Sequence, residues 1–194
     1  MGPIVLASRS PRRAALLKQI GLEFSIIPAA VDEPAGLGGP GTVAERLALA
    51  KARAVADSLE RGLVIGADTV VTLDGDILGK PADSDDARMM LIRLSGRSHL
   101  VVTGVAVVDA GTGRSIVEHE ESRVWFRTLD SDEIDAYVAS GEPADKAGAY
   151  GIQGLGAVMV EKIEGCYFNV VGLPLRRLAG ILKSFGLDVL EMNR

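Results

Sequence analysis

Cysteine is nearly absent from this chain. The single Cys166 rules out an internal disulfide framework, and without a C-x-x-C pair the thiolate-rich zinc sites are excluded as well. Nor does Cys166 have a base partner nearby in sequence, so no thiolate nucleophile is expected. Histidine is almost as scarce. His99 and His119 form neither an H-E-x-x-H nor a close pair, so an imidazole metal centre is not expected and both read as structural or surface residues. No unbroken apolar run reaches the roughly 18 to 20 residues that a membrane helix needs. From Met1 the chain passes directly into Pro3-Ile4-Val5-Leu6-Ala7, without the basic region, long apolar stretch and cleavage site of a leader. A cytoplasmic location is the resulting expectation, and a lone thiol suits a reducing compartment. Excess basic charge is missing too. A net charge of -5 argues against a broad nucleic-acid surface, while a small anion could still bind where basic residues are concentrated.

What is present is an ordinary globular chain. Its 194 residues, 47% hydrophobic and 24% charged, are enough to bury a full core in one domain or two closely joined lobes, and we read 1–194 as a single domain. Periodicity predicts alternating strands and helices. Ile4 to Ala7 reads as a strand, and a helix to about Ile20 follows, with Ser10 as N-cap, Pro11 in the first position and Gly21 as stop. Leu22 to Ile27 alternates like a strand, and Pro34 to Gly41 is rich in glycine and proline, as a loop would be. Thr42-x-x-Glu45 has the form of a capping box opening a helix with Val43, Leu47, Ala50 and Ala54 on one stripe. Leu63 to Leu73 is a near-continuous apolar strand, turned by Asp74-Gly75-Asp76 into Ile77-Leu78. Asp83 or Ser84 caps a helix with Met90, Leu91 and Leu94 inward. Leu100 to Val108 and Ser115 to Phe126 form a hairpin, with Trp125 and Phe126 in the core, and Asp130-x-x-Glu133 opens a further helix through Tyr137. Ala157 to Ile163 is strand-like, Gly165 to Leu175 reads as a buried turn, and Pro174 begins a last helix to Phe185. The expected architecture is a mixed α/β domain on one large sheet with helices on its faces.

Three segments carry chemistry. Ser8-Arg9-Ser10-Pro11-Arg12-Arg13 joins the first strand to the first helix. A helix N-terminus offers unbonded N–H groups and partial positive charge, and three arginines there run against the usual preference for acids in a first turn. Two readings stay open: a polyphosphate site, or an exposed basic turn paired with surface carboxylates. In Gly66-Ala67-Asp68-Thr69-Val70-Val71, Asp68 interrupts an apolar strand, where an unpaired carboxylate is expensive to bury. It is a candidate general base or cation ligand, with a structural carboxylate as the alternative. Glu33, Lys51 and Lys80 would complete such a site only if they converge on Asp68. In Asp145 to Gly156, closely spaced glycines allow close backbone approach to a ligand, and Gln153 offers both a donor and an acceptor to a base edge. The segment is neither a Walker A loop nor a dinucleotide fingerprint, and it reads equally as a crossover loop.

In order along the chain, Ala7 to Arg13, Val31-Asp32-Glu33, Leu49 to Ala52, Gly66 to Val71 and Gly79-Lys80-Pro81 resemble the Maf family of nucleoside triphosphate pyrophosphatases, named for inhibition of septum formation. Leu94-Ser95-Gly96, Val102 to Val105, Tyr150 to Gly154 and Val171 to Pro174 continue the match over essentially the whole chain. The resemblance implies an elongated, twisted mixed sheet flanked by helices, with two lobes and a central cleft, an architecture of Maf/ITPase type. It also implies a homodimer, a divalent cation (Mg2+ or Mn2+) and hydrolysis of a nucleoside triphosphate, with no stable nucleic-acid partner and no membrane. On the matching positions Asp68 corresponds to the proton acceptor, and Arg12, Thr69 and Gln153 to positions tied to substrate choice. Ser8, Arg13, Glu33, Lys51 and Lys80 fall on polar positions lining the family's cleft, with Glu33 and Asp68 placed to hold the metal. Asp145 to Gly154 is similar to the branch acting on dTTP and UTP rather than the one preferring 7-methyl-GTP. Arg9 departs mildly from the small residues common at its position. A non-catalytic nucleotide-binding regulator of division is the rival from another class.

Overall fold

Strand propensity is concentrated in long runs of valine, isoleucine and leucine, and these runs become a single mixed sheet. A computed structural model describes residues 2–29, 31 and 38–192. Among them the strands are β1 (Ile4–Leu6), β2 (Ser25–Ile26), β3 (Leu63–Leu73), β4 (Asp76–Leu78), β5 (Ser98–Asp109), β6 (Ser115–Phe126) and β7 (Val160–Glu164). Their order is β2-β1-β3-β5-β6-β7, with β4 paired to β3. Pairing of β1 with β2 and with β3 is parallel, whereas β4 with β3 and β7 with β6 are antiparallel. The helices are α1 (Pro11–Gln19), α2 (Pro40–Ala56), α3 (Ser84–Leu94), α4 (Ser131–Ala139), α5 (Tyr167–Val171) and α6 (Leu175–Ser184). The mixed α/β sheet flanked by helices is as expected, and none of the described helices is long and apolar enough to cross a membrane.

The chain divides into two compact units. The first comprises Met1–Asp68, Thr103–Glu120 and Gly172–Arg194, and the second Thr69–Val102 and Glu121–Val171. In the first unit, Val5, Val64, Ala106 and Val108 of the strands and Ala7, just after β1, pack with Ala48, Ala52 and Val55 of α2. In the second, Val71, Leu73, Val101, Val124 and Phe126 pack with Leu91 and Leu94 of α3 and Ile134 and Tyr137 of α4. Both cores draw on alternate residues of their strands, the period of two that puts one set on each face.

Several local expectations need correction. Thr42-x-x-Glu45 does not cap α2. Pro40, with its preset φ, takes the first helical position behind Gly39, and no side chain caps the helix. Glu45 accepts from His119 Nδ1 instead, at 2.7 Å. On the same helix Val43 and Leu47 are buried, but Ala54 is exposed and Ala50 half-buried. Alanines 44, 48 and 52 form the stripe that meets the sheet, because the strands they cover carry glycines. Ser10 stands at the N-cap of α1 without a side-chain cap bond. The strand expected over Leu22 to Ile27 shrinks to two exposed residues. Trp125 is half-buried beneath the Lys162 ammonium, 4.6 Å from its ring centre, rather than in the core. Met90 of α3 is likewise only partly buried. Gly154–Met159 forms a 3-10 segment that delays β7, and the turn read over Gly165 to Leu175 contains the short helix α5. By contrast, Asp130 and Glu133 make the reciprocal capping box in full, and β3 and β6 have the predicted bounds.

Candidate active site

In the first unit, β1 and β3 run parallel with Leu6 opposite Ile65. Ser8 lies two residues beyond Leu6 and Asp68 three beyond Ile65, so both sit towards the carboxyl end of this parallel pair, the usual place for ligands in α/β sheets. Helix α1 begins there as well, with Pro11, Arg12 and Arg13 in its first turn and no acidic residue among them. Arg13 is folded back over that turn. Its Nη1 donates to Ser8 Oγ at 3.1 Å and its Nε to the Gly172 carbonyl at 2.8 Å, while Ser8 Oγ also accepts from the Ser10 amide at 3.2 Å. These three contacts use neutral acceptors, and they place the guanidinium of Arg13 at a helix N-terminus, an end that favours anions. Ser8 itself is buried, Arg12 and Arg13 are half-buried, and Arg9 is exposed.

Asp68 is 8% exposed, and its Oδ1 accepts from the Lys51 ammonium. The pair is possible because α2 lies unusually close to the strands. A Cβ on Gly66 would come within 2.2 Å of the Ala48 carbonyl oxygen, and one on Gly104 within 2.2 Å of the Ala44 carbonyl oxygen. Two glycines in strands thus receive an alanine-faced helix, and Lys51, one turn along from Ala48, reaches Asp68. An ion pair largely withdrawn from water is costly to desolvate and weak evidence of stability, which makes this one a candidate for chemistry.

The second unit holds Thr69, Lys80 and Gln153. Thr69 is half-buried in β3, whereas Lys80, just after β4, and Gln153 are exposed. Their two segments are joined by a backbone bond from the Gly148 amide to the Gly79 carbonyl, 3.0 Å. Glu33 lies outside the described residues. A cation-binding role for Asp68 fits its chemistry: Lys51 engages Oδ1, and a magnesium-type ion takes one or two carboxylates and fills its shell with substrate phosphates and water. Among the described residues no cluster of three or more acidic, histidine or cysteine side chains could hold a metal by itself.

A sequence model of the Maf-like protein family matches residues 3–185. The chain belongs to the Maf family. Among its relatives, a dTTP/UTP pyrophosphatase of Pelotomaculum thermopropionicum is 58% identical, covering 98% of this chain and 100% of its own. Proteins of the same name from Moorella thermoacetica and Syntrophomonas wolfei are 55% and 53% identical over 97% and 96% of this chain, and over 98% and 99% of their own lengths. Among solved structures, the Staphylococcus aureus Ham1 protein superposes with a TM-score of 0.51 over 82% of this chain and 80% of its own, at 18% identity, a likeness of fold.

Within this Maf chain, motif reading missed the residues that hold the site segments in place. The Gly172 carbonyl that holds Arg13 sits 159 positions away and bears no side-chain signal. Glu142 and Tyr137, which bind the Gln153 segment, resemble ordinary surface residues of a helix end in sequence. His99 is buried and bonds Tyr150 through Nε2 at 2.7 Å, while its Nδ1 has no hydrogen-bond partner among the described residues. Cys166 is half-buried, and Ser122 Oγ bridges its backbone amide and carbonyl.

Proposed function

We propose that this protein hydrolyses dTTP and UTP, with CTP as a further pyrimidine substrate, between the α and β phosphates to give the nucleoside monophosphate and diphosphate. The observation that carries the reading is Asp68, buried in β3 against Lys51 at the same end of the parallel strands as the Ser8–Arg13 turn. The full-length relatives named for that activity lend their support. Phosphate transfer to water is governed mainly by positioning and charge stabilisation, and these groups supply both.

In this mechanism Arg12, Arg13 and the α1 amides hold phosphate oxygens, and Lys80 is a further cation for the phosphates. Lys51 fixes the orientation of the Asp68 carboxylate, which accepts the proton of the attacking water. Thr69 and Gln153 address the rest of the nucleotide, Gln153 pairing with the edge of the base. Asp68 would hold a divalent cation together with the substrate phosphates, and Glu33 is the second carboxylate that the family resemblance brings to it. When bound, such an ion offsets charge on the phosphate oxygens. The proposal extends to a cytoplasmic homodimer, which sedimentation and fractionation test directly.

The deciding experiment is release of inorganic pyrophosphate from a panel of dTTP, UTP, CTP, dGTP and 7-methyl-GTP, with magnesium or manganese and again with EDTA. The expected outcome is turnover of dTTP and UTP that EDTA abolishes. Binding of dTTP without any pyrophosphate release would instead identify a nucleotide sensor.

A further inference from the structure

The Gln153 side chain makes no hydrogen bond among the described residues and is exposed. Its position is therefore set by its neighbours, and these converge on one carboxylate. Glu142 follows α4 in a 3-10 turn opened by Gly141 in the left-handed region, φ 74°. Glu142 Oε1 accepts from the Tyr137 hydroxyl at 2.9 Å and from the Gly156 amide at 3.1 Å, and Oε2 accepts from the Leu155 amide at 2.9 Å. The Tyr137 oxygen in turn accepts from the Gly151 amide at 3.2 Å. Residues on both sides of Gln153 are thus tied to a single acid and its phenol partner.

The backbone is built to allow this. Gly154 has φ 81°, and a Cβ there would stand 2.6 Å from Glu142 Oε2. A Cβ on Gly156 would stand 2.8 Å from the Tyr137 oxygen. Lys146 faces the same acid, donating from Nζ to the Glu142 carbonyl at 2.5 Å and to Asp145 at 2.6 Å. Burial pushes the Glu142 carboxyl upward, but the amides of Leu155 and Gly156, the Tyr137 hydroxyl and the Lys146 charge outweigh it and hold the group below the ordinary range. A charged carboxylate taking three donors also caps the first amides of the 3-10 segment that Gln153 precedes.

We propose that Glu142 is a positioning residue for base choice: with Tyr137 it holds the 151–156 segment so that Gln153 meets the nucleobase, without touching the nucleotide itself. This rests on the reading of Gln153 as the residue that addresses the base. A side chain held by a preorganised backbone loses less freedom on binding, so the effect belongs in KM and in discrimination between bases.

The test compares Glu142→Gln, Tyr137→Phe and Gln153→Ala with the wild-type protein. Glu142→Gln keeps the shape but replaces one acceptor by a donor facing an amide. Amide hydrogen exchange at Leu155 and Gly156 and kinetics on dTTP, UTP and dGTP are the readouts. In Glu142→Gln, exchange at the two amides quickens and KM for dTTP rises about tenfold, as expected for one lost charge-assisted bond, while kcat falls much less. Preference for dTTP over dGTP narrows in parallel, and Tyr137→Phe moves the same quantities in the same direction by less. Faster amide exchange with unchanged base preference would overturn the proposal, as would an equal loss on all three triphosphates carried by kcat. If Gln153→Ala leaves base preference intact, the reading of Gln153 falls and the proposal with it, while amide exchange still reports whether Glu142 holds the segment.

Discussion

At the scale of single residues, the proposed chemistry rests on the pair of Asp68 and Lys51. The carboxylate is legible in sequence because it breaks an apolar run, and burying it without a partner would be expensive. Its partner is not legible. Lys51 sits among alanines in the middle of a helix, and nothing in its local sequence separates it from a solvated surface lysine. The family resemblance marks Lys51 as a cleft position, and the geometry then pairs it with Asp68. Asp68→Asn keeps the volume of the side chain but cannot accept the proton of an attacking water. Turnover on dTTP is expected to fall by about 10²- to 10⁴-fold, the usual range for a lost general base. Circular dichroism should report an unchanged fold and calorimetry should report retained nucleotide binding. Turnover within a few-fold of the wild type would remove Asp68 from its role.

At the scale of elements, the placement of α2 decides whether that pair exists. Its alanine stripe lies directly on Gly66 and Gly104, and either glycine, given a methyl group, would collide with backbone rather than with a yielding side chain. Gly66→Ala must push α2 away from β3. The expected cost is about 1–3 kcal/mol, typical of overpacking, read in urea titration. Activity should fall further than stability alone explains, since Lys51 moves with its helix. If turnover per folded molecule is unchanged, the helix placement is not what aligns the pair. Helix α4 supports a simpler expectation. Asp130 accepts from the Glu133 amide at 2.8 Å and Glu133 reaches back to the Asp130 amide at 3.1 Å. Asp130→Ala should cost about 1 kcal/mol, the usual value of an N-cap, with dTTP turnover at 25 °C little changed. The same S/T/D-x-x-E spacing at Thr42 predicted a cap that Pro40 overrides, so the motif shows where a helix begins only within a turn or so.

At the scale of the whole molecule, acid stability follows from two groups in the second unit. Burial lowers His99 to about 4 from its ordinary 6.5. The unfolded chain therefore takes up the proton first as pH falls, and stability declines from about pH 6.5 down to about 4, by roughly 3 kcal/mol. Glu133 is held down to about 2 from 4.5, mainly by the hydrogen bond from Arg127 and then by the Asp130 amide. Its contribution is complete above about pH 4.5 and lost as pH falls through about 2. Denaturant midpoints measured against pH should thus fall in two overlapping stages, and His99→Phe should remove the upper one. A flat profile between pH 6.5 and 4.5 in the wild type would contradict a neutral, buried His99.

Much of this protein was determined by sequence alone: the order of the strands and of the longer helices, the bounds of β3 and β6, and the family. Those features are local, because periodicity, capping residues and a charge in an apolar run act over a few neighbouring residues. The tertiary structure alone decided the pairing of Lys51 with Asp68, the Gly172 carbonyl that holds Arg13, and the Glu142 and Tyr137 clamp around Gln153. Backbone groups carry no side-chain signature, and a contact across tens of residues depends on how closely two elements approach. In α2 that approach is set by two glycines whose purpose appears only when the helix is in place.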